Sequence, residues 1–310
     1  MSNWFLIALI APILWSIVNH IDKYMLSKYV KERGVGALLI FSALSSVIIL
    51  PFLAFFYRSE IFNVSNTDFL ILLFVGFLSA GAFYFYLKGM EMEEVSIVVP
   101  LFQLIPVFGY FLSYFILGES LGIAQILSCL LVMSGIIILA IEIDEENNLK
   151  IKTQVLFLIG ASSFLFALHD TLFKKVAIVE SFWVSVFWQY VSLTVFGLLI
   201  LFCIKKFRKE FFSMFSSNMG GKVIFANITS ELLYILGNLS NNFATLLAPV
   251  AVVLVVSSYQ SLFVFIIGIL LTVFLPKIAM EKISLKHLAH KLISILIIVI
   301  GSYFLYATSN

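Results

Sequence analysis

Ten long apolar runs follow one another along the chain, separated only by short polar connectors. They cover approximately Trp4–Asn19, Val35–Tyr57, Phe69–Leu87, Val95–Leu117, Leu121–Ile141, Val155–Phe173, Phe182–Ile204, Val223–Phe243, Val250–Leu275 and Leu292–Ala307. A helix crosses the hydrocarbon core of a bilayer in about 20 residues, and these runs match that length. Strands of a membrane barrel would instead show about ten residues of apolar and polar alternation. Runs such as Ile136-Ile137-Ile138-Leu139-Ala140 do not alternate. Helices also pair every backbone polar group within the segment, as lipid requires. The expected fold class is an all-α membrane protein with ten transmembrane helices.

Composition closes off the alternatives. Of 310 residues, 62% are hydrophobic and 12% charged, whereas soluble domains carry about 25% charged residues. A soluble enzyme built from this chain would turn large apolar patches to water. Disordered, collagen-like, coiled-coil and disulfide-stapled classes are excluded by the same figures. A net charge of +2 supplies no concentrated basic face, so no nucleic-acid partner is expected. Cys129 and Cys203 lie within apolar runs and read as small packing residues, with no redox or metal role. Met1-Ser2-Asn3-Trp4 lacks the basic start of a secretory signal, so the first run is expected to remain as a helix. The longest hydrophilic stretch, Glu142 to Lys152, is a connector rather than a soluble domain.

The chain also repeats itself. Ile97-Val98-Val99-Pro100-Leu101-Phe102-Gln103, then Val107-Phe108, lines up with Leu254-Val255-Val256-Ser257-Ser258-Tyr259-Gln260, then Val264-Phe265. Glu119-Ser120-Leu121 is echoed by Glu281-Lys282-Ile283-Ser284-Leu285, and Gly135 by Gly301. His20 with Asp22 and Lys23 is echoed by His169 with Asp170 and Lys174. The halves divide near residues 1–145 and 146–310, with five helices in each. Because five is odd, the second half must enter the membrane in the opposite orientation. Two inverted five-helix repeats are the usual architecture for alternating access, with a substrate site near the midplane between them.

The same residues resemble the drug/metabolite transporter superfamily, specifically its EamA-type ten-helix members. The resemblance is best over Val95–Ala140, where Val98-Val99-Pro100-Leu101-Phe102-Gln103-Leu104-Ile105-Pro106-Val107-Phe108 precedes Leu117-Gly118-Glu119 and Ser134-Gly135-Ile136. Members resemble this in a proline-valine-phenylalanine core, a glycine-glutamate turn and a closing helix. In the second half Phe263-Val264-Phe265 lacks the proline, and Ile105 stands where members commonly have a glutamate. The resemblance implies export or import of small metabolites, amino acids or toxic compounds across a cell or inner membrane. It implies no cofactor and no universal catalytic residue.

Polar residues inside the runs supply the candidate site. A bare carboxylate at the centre of a span costs about 2.5–3.5 kcal/mol, which singles out Glu231. Asn227, Glu231, Tyr234, Asn238 and Asn242 recur at helical spacing and form one stripe. We expect that stripe to wall the substrate path, with Glu231 able to titrate and so to admit proton or other ion coupling. The structural alternative is a protonated carboxyl tying neighbouring helices together. Gln103 and Gln260 hold matching places in helices four and nine, where amides that donate and accept suit a polar or zwitterionic ligand or bond one helix to another. Pro106 removes a backbone bond within helix four, giving a bend or a gate hinge.

His20 and Asp22, like His169 and Asp170, are expected at the exit ends of helices one and six. There they would serve as a relay or gate or as ordinary interfacial residues. Their spacing matches no metal-ligand signature, and no metal site is expected. Trp15, Trp188 with Gln189, and Tyr259 lie far enough inside their runs to line a cavity, whereas Trp183 reads as interfacial belt.

Two warrants on orientation disagree. Only Arg58, Lys174 and Lys175, of 19 basic residues, fall in loops on the side of both termini. The positive-inside rule therefore places the termini outside, while the family resemblance implies termini inside. The leading functional expectation is a secondary transporter of small organic solutes. It would have lipid and a small solute as partners and an oligomeric state left open by the sequence. No G-x-x-x-x-G-K-[ST] loop occurs, so ATP-driven transport by this chain is not expected. The rivals are an integral-membrane enzyme on lipid-linked substrates and a non-transporting scaffold subunit.

Overall fold

A computed structural model of the chain describes residues 4–26, 35–93, 95–102, 104–140, 153–215, 220–274 and 285–308, and among them it is all-helical with no strand. The first half runs α1 (Trp4–Met25), α2 (Gly36–Ser45), α3 (Leu50–Phe56), α4 (Asn66–Met92), α5 (Val95–Leu101), α6 (Leu104–Leu117) and α7 (Ile123–Ala140). The second runs α8 (Thr153–Ala177), α9 (Phe182–Cys203), α10 (Lys205–Phe215), α11 (Gly220–Leu247), α12 (Val250–Ser257), α13 (Gln260–Phe274) and α14 (Leu285–Thr308). Six stretches are long and apolar enough to cross a membrane: α1, Gly36–Phe56, α4, α8, α9 and Val250–Phe274. Shorter apolar helices are Leu104–Leu117, Ile123–Gly135 and Leu296–Leu305.

The outer surface is what a bilayer demands. Phe55, Phe115, Phe157 and Tyr303 are each at least 70% exposed, an arrangement that water would penalise and lipid does not. Polar side chains turn inward instead, and many buried serines and threonines return their hydroxyls to a carbonyl three or four residues back, as Ser163 does to Ile159 at 2.7 Å.

Two interruptions shape the centre. Between α5 and α6, the amide of Phe102 bonds the carbonyl of Val99 at 3.1 Å. Between α12 and α13, the amide of Tyr259 bonds the carbonyl of Val256 at 3.1 Å. Both are three-residue bonds that tighten the helix without leaving the amide unpaired. They fall at the sequence offset that separates Gln103 from Gln260. Pro106 therefore does not kink an unbroken helix, as expected from sequence. It sits in the first turn of α6, where a missing amide costs nothing.

Helices pair in a regular pattern. α1 runs along α11, α4 along α8, α7 along α14, and α6 crosses α12. Ser162 donates to the carbonyl of Ala82 at 2.8 Å across α8 and α4. Ser240 donates to that of Ile7 at 2.6 Å across α11 and α1. The α7–α14 contact is a reciprocal glycine crossing. A Cβ on Gly135 would stand 2.8 Å from the side chain of Ile298, and one on Gly301 would stand 2.9 Å from the backbone nitrogen of Val132. Small residues let two backbones approach where lipid offers no hydrophobic drive.

The basic connector after α9 folds into a helix that the run pattern did not anticipate. α10 turns Phe207 and Phe211 into the core beside α2, and the amide of Gly36 donates to its Glu210 Oε2 at 3.0 Å. Replacing Gly135 or Gly301 by Leu is expected to cost about 1–3 kcal/mol through overpacking. Gly221→Ala, where a Cβ meets nothing within 4 Å, should leave stability unchanged. Thermal unfolding of the three variants in detergent checks the difference.

Candidate functional site

A central cavity opens where the broken helices meet their neighbours. α1 supplies Trp15, Val18, Asn19 and Asp22, and α8 supplies Phe166, His169 and Asp170, both sets at helical one-face spacing. α4 adds Phe83 and Tyr86, and α11 adds Tyr234 and Asn238. Val99, Phe102 and Ile105 come from the first interruption, and Leu254, Ser257, Ser258, Gln260 and Ser261 from the second. The empty space, counted out to its mouth and including open solvent there, is about 840 Å³. Nε1 of Trp15 and Nδ2 of Asn19 are buried donors with no hydrogen-bond partner among the described residues, and both belong to residues of the wall.

The two aspartates are the chemistry of the wall. Asp22 accepts from Tyr86 Oη at 3.2 Å and from Ser230 Oγ at 3.1 Å. Tyr86 also lies 3.0 Å from Asn19 Oδ1. Asp170 accepts from His169 Nδ1 at 2.8 Å and from Asn241 Nδ2 at 3.1 Å, and Ser257 donates to Asn241 Oδ1 at 2.9 Å. Behind His169 the network continues outward. Asn242 Nδ2 reaches Gln189 Oε1 at 3.3 Å, and Gln189 Nε2 lies 2.9 Å from His169 Nε2.

Of the sequence candidates, Trp15, Asp22, His169, Asp170, Tyr234, Asn238 and Gln260 line this cavity. Gln103 lies outside the described residues. The expectation that His20/Asp22 and His169/Asp170 mark exit ends is corrected, because α1 and α8 continue past them to Met25 and Ala177. Asp22 and Asp170 are 6% and 7% exposed, held by the hydrogen bonds just described. His20 faces elsewhere, its Nε2 donating to the carbonyl of Val264 at 3.0 Å and tying α1 to α13.

Glu231 is also displaced from the wall. Its Oε2 accepts from Ser42 at 2.9 Å and Ser45 at 3.2 Å, which binds α11 to α2. Successive helical residues are rotated by about 100°; Tyr234 and Asn238 of the expected stripe face the cavity, while Ser230 and Asn241, rather than Glu231 and Asn242, reach its aspartates. Asn227 is buried but off the wall, and Asn242 and Gln189 lie behind it in the His169 network. Trp188 donates to the carbonyl of Ile61 at 2.6 Å beside the loop before α4. Tyr259 packs into the apolar cluster around Trp4 and Ala8.

The comparisons with known proteins fit this geometry. The sequence model of the EamA-like transporter family matches residues 2–141. Over that stretch the chain is similar to the EamA-like transporter family, which lies within the drug/metabolite transporter superfamily. It is an integral, multi-pass membrane protein. A search of curated proteins gives no match. Among solved structures 28 chains match; one crystal structure of a protein is 15% identical, with a TM-score of 0.68 over 98% of this chain and 96% of that one. At that identity the likeness concerns the fold alone.

The glycine-glutamate turn of the family has a structural role here. Gly118 adopts φ +69°, a left-handed conformation that favours glycine. The amide of Gly118 bonds the carbonyl of Tyr114 at 3.1 Å and that of Glu119 closes on the carbonyl of Ser113 at 3.3 Å, ending α6 in a left-handed cap. This aims Glu119 at the second half. Its Oε2 accepts the Val250 amide at the start of α12 (2.9 Å), and its Oε1 pairs with Lys174 Nζ at 2.5 Å. Lys174 also donates to the carbonyl of Ala248 at 2.9 Å. Glu119→Gln or Lys174→Met alone is expected to cost about 3–5 kcal/mol, the usual result of stranding one ion of a buried pair. The double variant should cost less than the sum by about 0.5–3 kcal/mol. Unfolding of the four forms in micelles measures the coupling.

Proposed function

We propose that the chain is a secondary transporter that moves small organic solutes by alternating access through the central cavity. Its architecture in this reading is ten spans in two inverted five-helix repeats, residues 1–145 and 146–310. The observation that carries the reading is that the cavity wall comes in matched pairs. Segments α1 and α8, α4 and α11, and the interruptions α5/α6 and α12/α13 hold corresponding places in the two halves, and each pair contributes to one space. The exchange extends to packing, since α1 on α11 corresponds to α8 on α4, while α7 on α14 corresponds to itself. A dyad of this kind is what lets one bundle rock against the other around a fixed site.

The wall suits a carrier better than a catalyst. Among the described residues it offers hydroxyls, amides, rings and two carboxylates, groups that can hold a solute by hydrogen bonds and charge. Asp22 and Asp170 replace Glu231 as the groups on which an ion or proton would ride. The Glu119–Lys174 bridge joins the first half to the second at the end of the bundle where α6 and α8 finish. In this mechanism it is a latch that closes that end and must part when the cavity opens there.

Two measurements test the reading. In a background with Cys129 and Cys203 replaced by Ser, Gln260→Cys is expected to react with a small charged thiol reagent added from water, whereas Val299→Cys, 56% exposed on the outer face, should not. In proteoliposomes, Ser258→Trp is expected to abolish flux of any transported solute by filling the space, while Glu231→Gln keeps it. Unreactive Gln260→Cys together with full flux through Ser258→Trp would remove the cavity from the transport path.

A further inference from the structure

The transport reading leaves the solute unspecified, and the charge on the wall narrows it. Asp22 and Asp170 are its carboxylates, one from each half, and no lysine or arginine lines it among the described residues. The nearest ammonium groups in sequence are turned away. Lys23 donates to the carbonyls of Met90 at 2.9 Å and Glu93 at 2.7 Å, capping the end of α4. Lys174 is taken by Glu119 and Ala248. Every donor to the two aspartates except His169 is a neutral group: Tyr86, Ser230 and Asn241. Such donors orient a carboxylate without cancelling its charge.

His169 joins Asp170 to a chain of amides: Asn242 Nδ2 lies 3.3 Å from Gln189 Oε1, and Gln189 Nε2 lies 2.9 Å from His169 Nε2. Around the two carboxylates stand six aromatic rings, those of Trp15, Phe83, Tyr86, Phe102, Phe166 and Tyr234. Their faces favour a cation, most strongly where water is excluded.

Resting on the reading of this cavity as the substrate site, we propose that it selects solutes carrying an ammonium or similar organic cation, seated between Asp22 and Asp170 among the aromatic rings. The two carboxyls have no lysine or arginine beside them among the described lining residues, and a cationic solute supplies the charge that lets them ionise. An anionic solute would meet two like charges in low dielectric and is excluded. The remaining polar atoms, including Gln260 and Ser257, Ser258 and Ser261, face the rest of the molecule and set its shape rather than its charge.

Benzyltrimethylammonium is a suitable probe because its charge does not depend on pH; phenylacetate and benzyl alcohol are the anionic and neutral controls. With the full-length protein in detergent, isothermal titration is expected to show saturable binding of the ammonium compound and none of phenylacetate. Asp22→Asn and Asp170→Asn should each weaken it by about 10- to 100-fold, whereas Glu60→Gln, which removes an exposed carboxylate away from the wall, should leave it unchanged. Should the aspartate variants fail to fold, protection of Gln260→Cys from labelling gives the same discrimination in a protein with both carboxylates intact. Equal binding of all three probes, or unchanged affinity in folded aspartate variants, would overturn the charge assignment. Ser258→Trp separates the two levels. If a neutral or anionic probe binds and Ser258→Trp abolishes it, the cavity stands and cation selection falls. Ammonium binding that is unaffected by Ser258→Trp places the site elsewhere and overturns both.

Discussion

Hydrocarbon does not hydrogen-bond, and the whole structure follows from that. An unpaired backbone group inside a bilayer costs several kcal/mol, so a chain that interrupts two of its helices at the centre must rebuild the lost bonds locally. It does so by tightening to three-residue bonds at Phe102 and Tyr259 and by surrounding the breaks with serines, amides and phenols. The interruptions in turn free the wall for a cavity, because an unbroken helix would present only its stripe. The polar interior is thus the condition for breaking the helices as well as the place where a solute can be held.

The same constraint explains the two lysines. An ammonium inside a bundle needs acceptors, and the last carbonyls of a helix are unsatisfied and carry partial negative charge. Lys23 reaches those at the end of α4, and Lys174 reaches Ala248 just past the end of α11. Each therefore fastens a later helix of its own half, Lys23 on α1 holding α4 and Lys174 on α8 holding α11. The corresponding acid, Glu119, caps the start of α12 and pairs with Lys174 at once. One turn of chain, held left-handed by Gly118, is what brings those four partners together.

How much of this was legible in the sequence depended on which physical signal each feature left. Apolar run lengths located the helices, because lipid thickness sets a period that survives any side-chain detail. The repeated Gln103 and Gln260 blocks pointed to equivalent segments, and both adjoin an interruption. The polar stripe on α11 was visible, but its phase was not. A stripe containing Glu231 and one containing Ser230 differ by a single residue, and only the neighbours decide which faces α2 and which faces the cavity. Asn19 and the serines at 257, 258 and 261 were missed because each is an ordinary residue in a membrane helix. Spacing with Trp15 and Asp22 in α1, and the density of hydroxyls interrupting a valine run in α12, were the available signals. α10 was hidden by its charge: four basic residues read as a connector until Phe207 and Phe211 are seen to share a face.

Charge placement ties the two ideas together. Asp22 and Lys23 are neighbours in sequence, and Asp170 and Lys174 are a turn apart, yet neither aspartate pairs with its lysine. Consecutive helical residues point about 100° apart, so Asp22 enters the cavity while Lys23 turns to α4. Four residues lie on nearly the same face, but the long stem of Lys174 carries its ammonium to the helix end, about 6 Å farther along the axis. Had either lysine folded back, one of the two carboxylates would be paired and Glu119 or the helix ends would lack their counter-charge. Positive charge is spent on fastening the ends of the bundle and negative charge is left at its centre. On the transport reading proposed above, opening the end held by Glu119 and Lys174 would release an ammonium about one helical turn from Asp170, so that opening and neutralising the site would compete for the same charge.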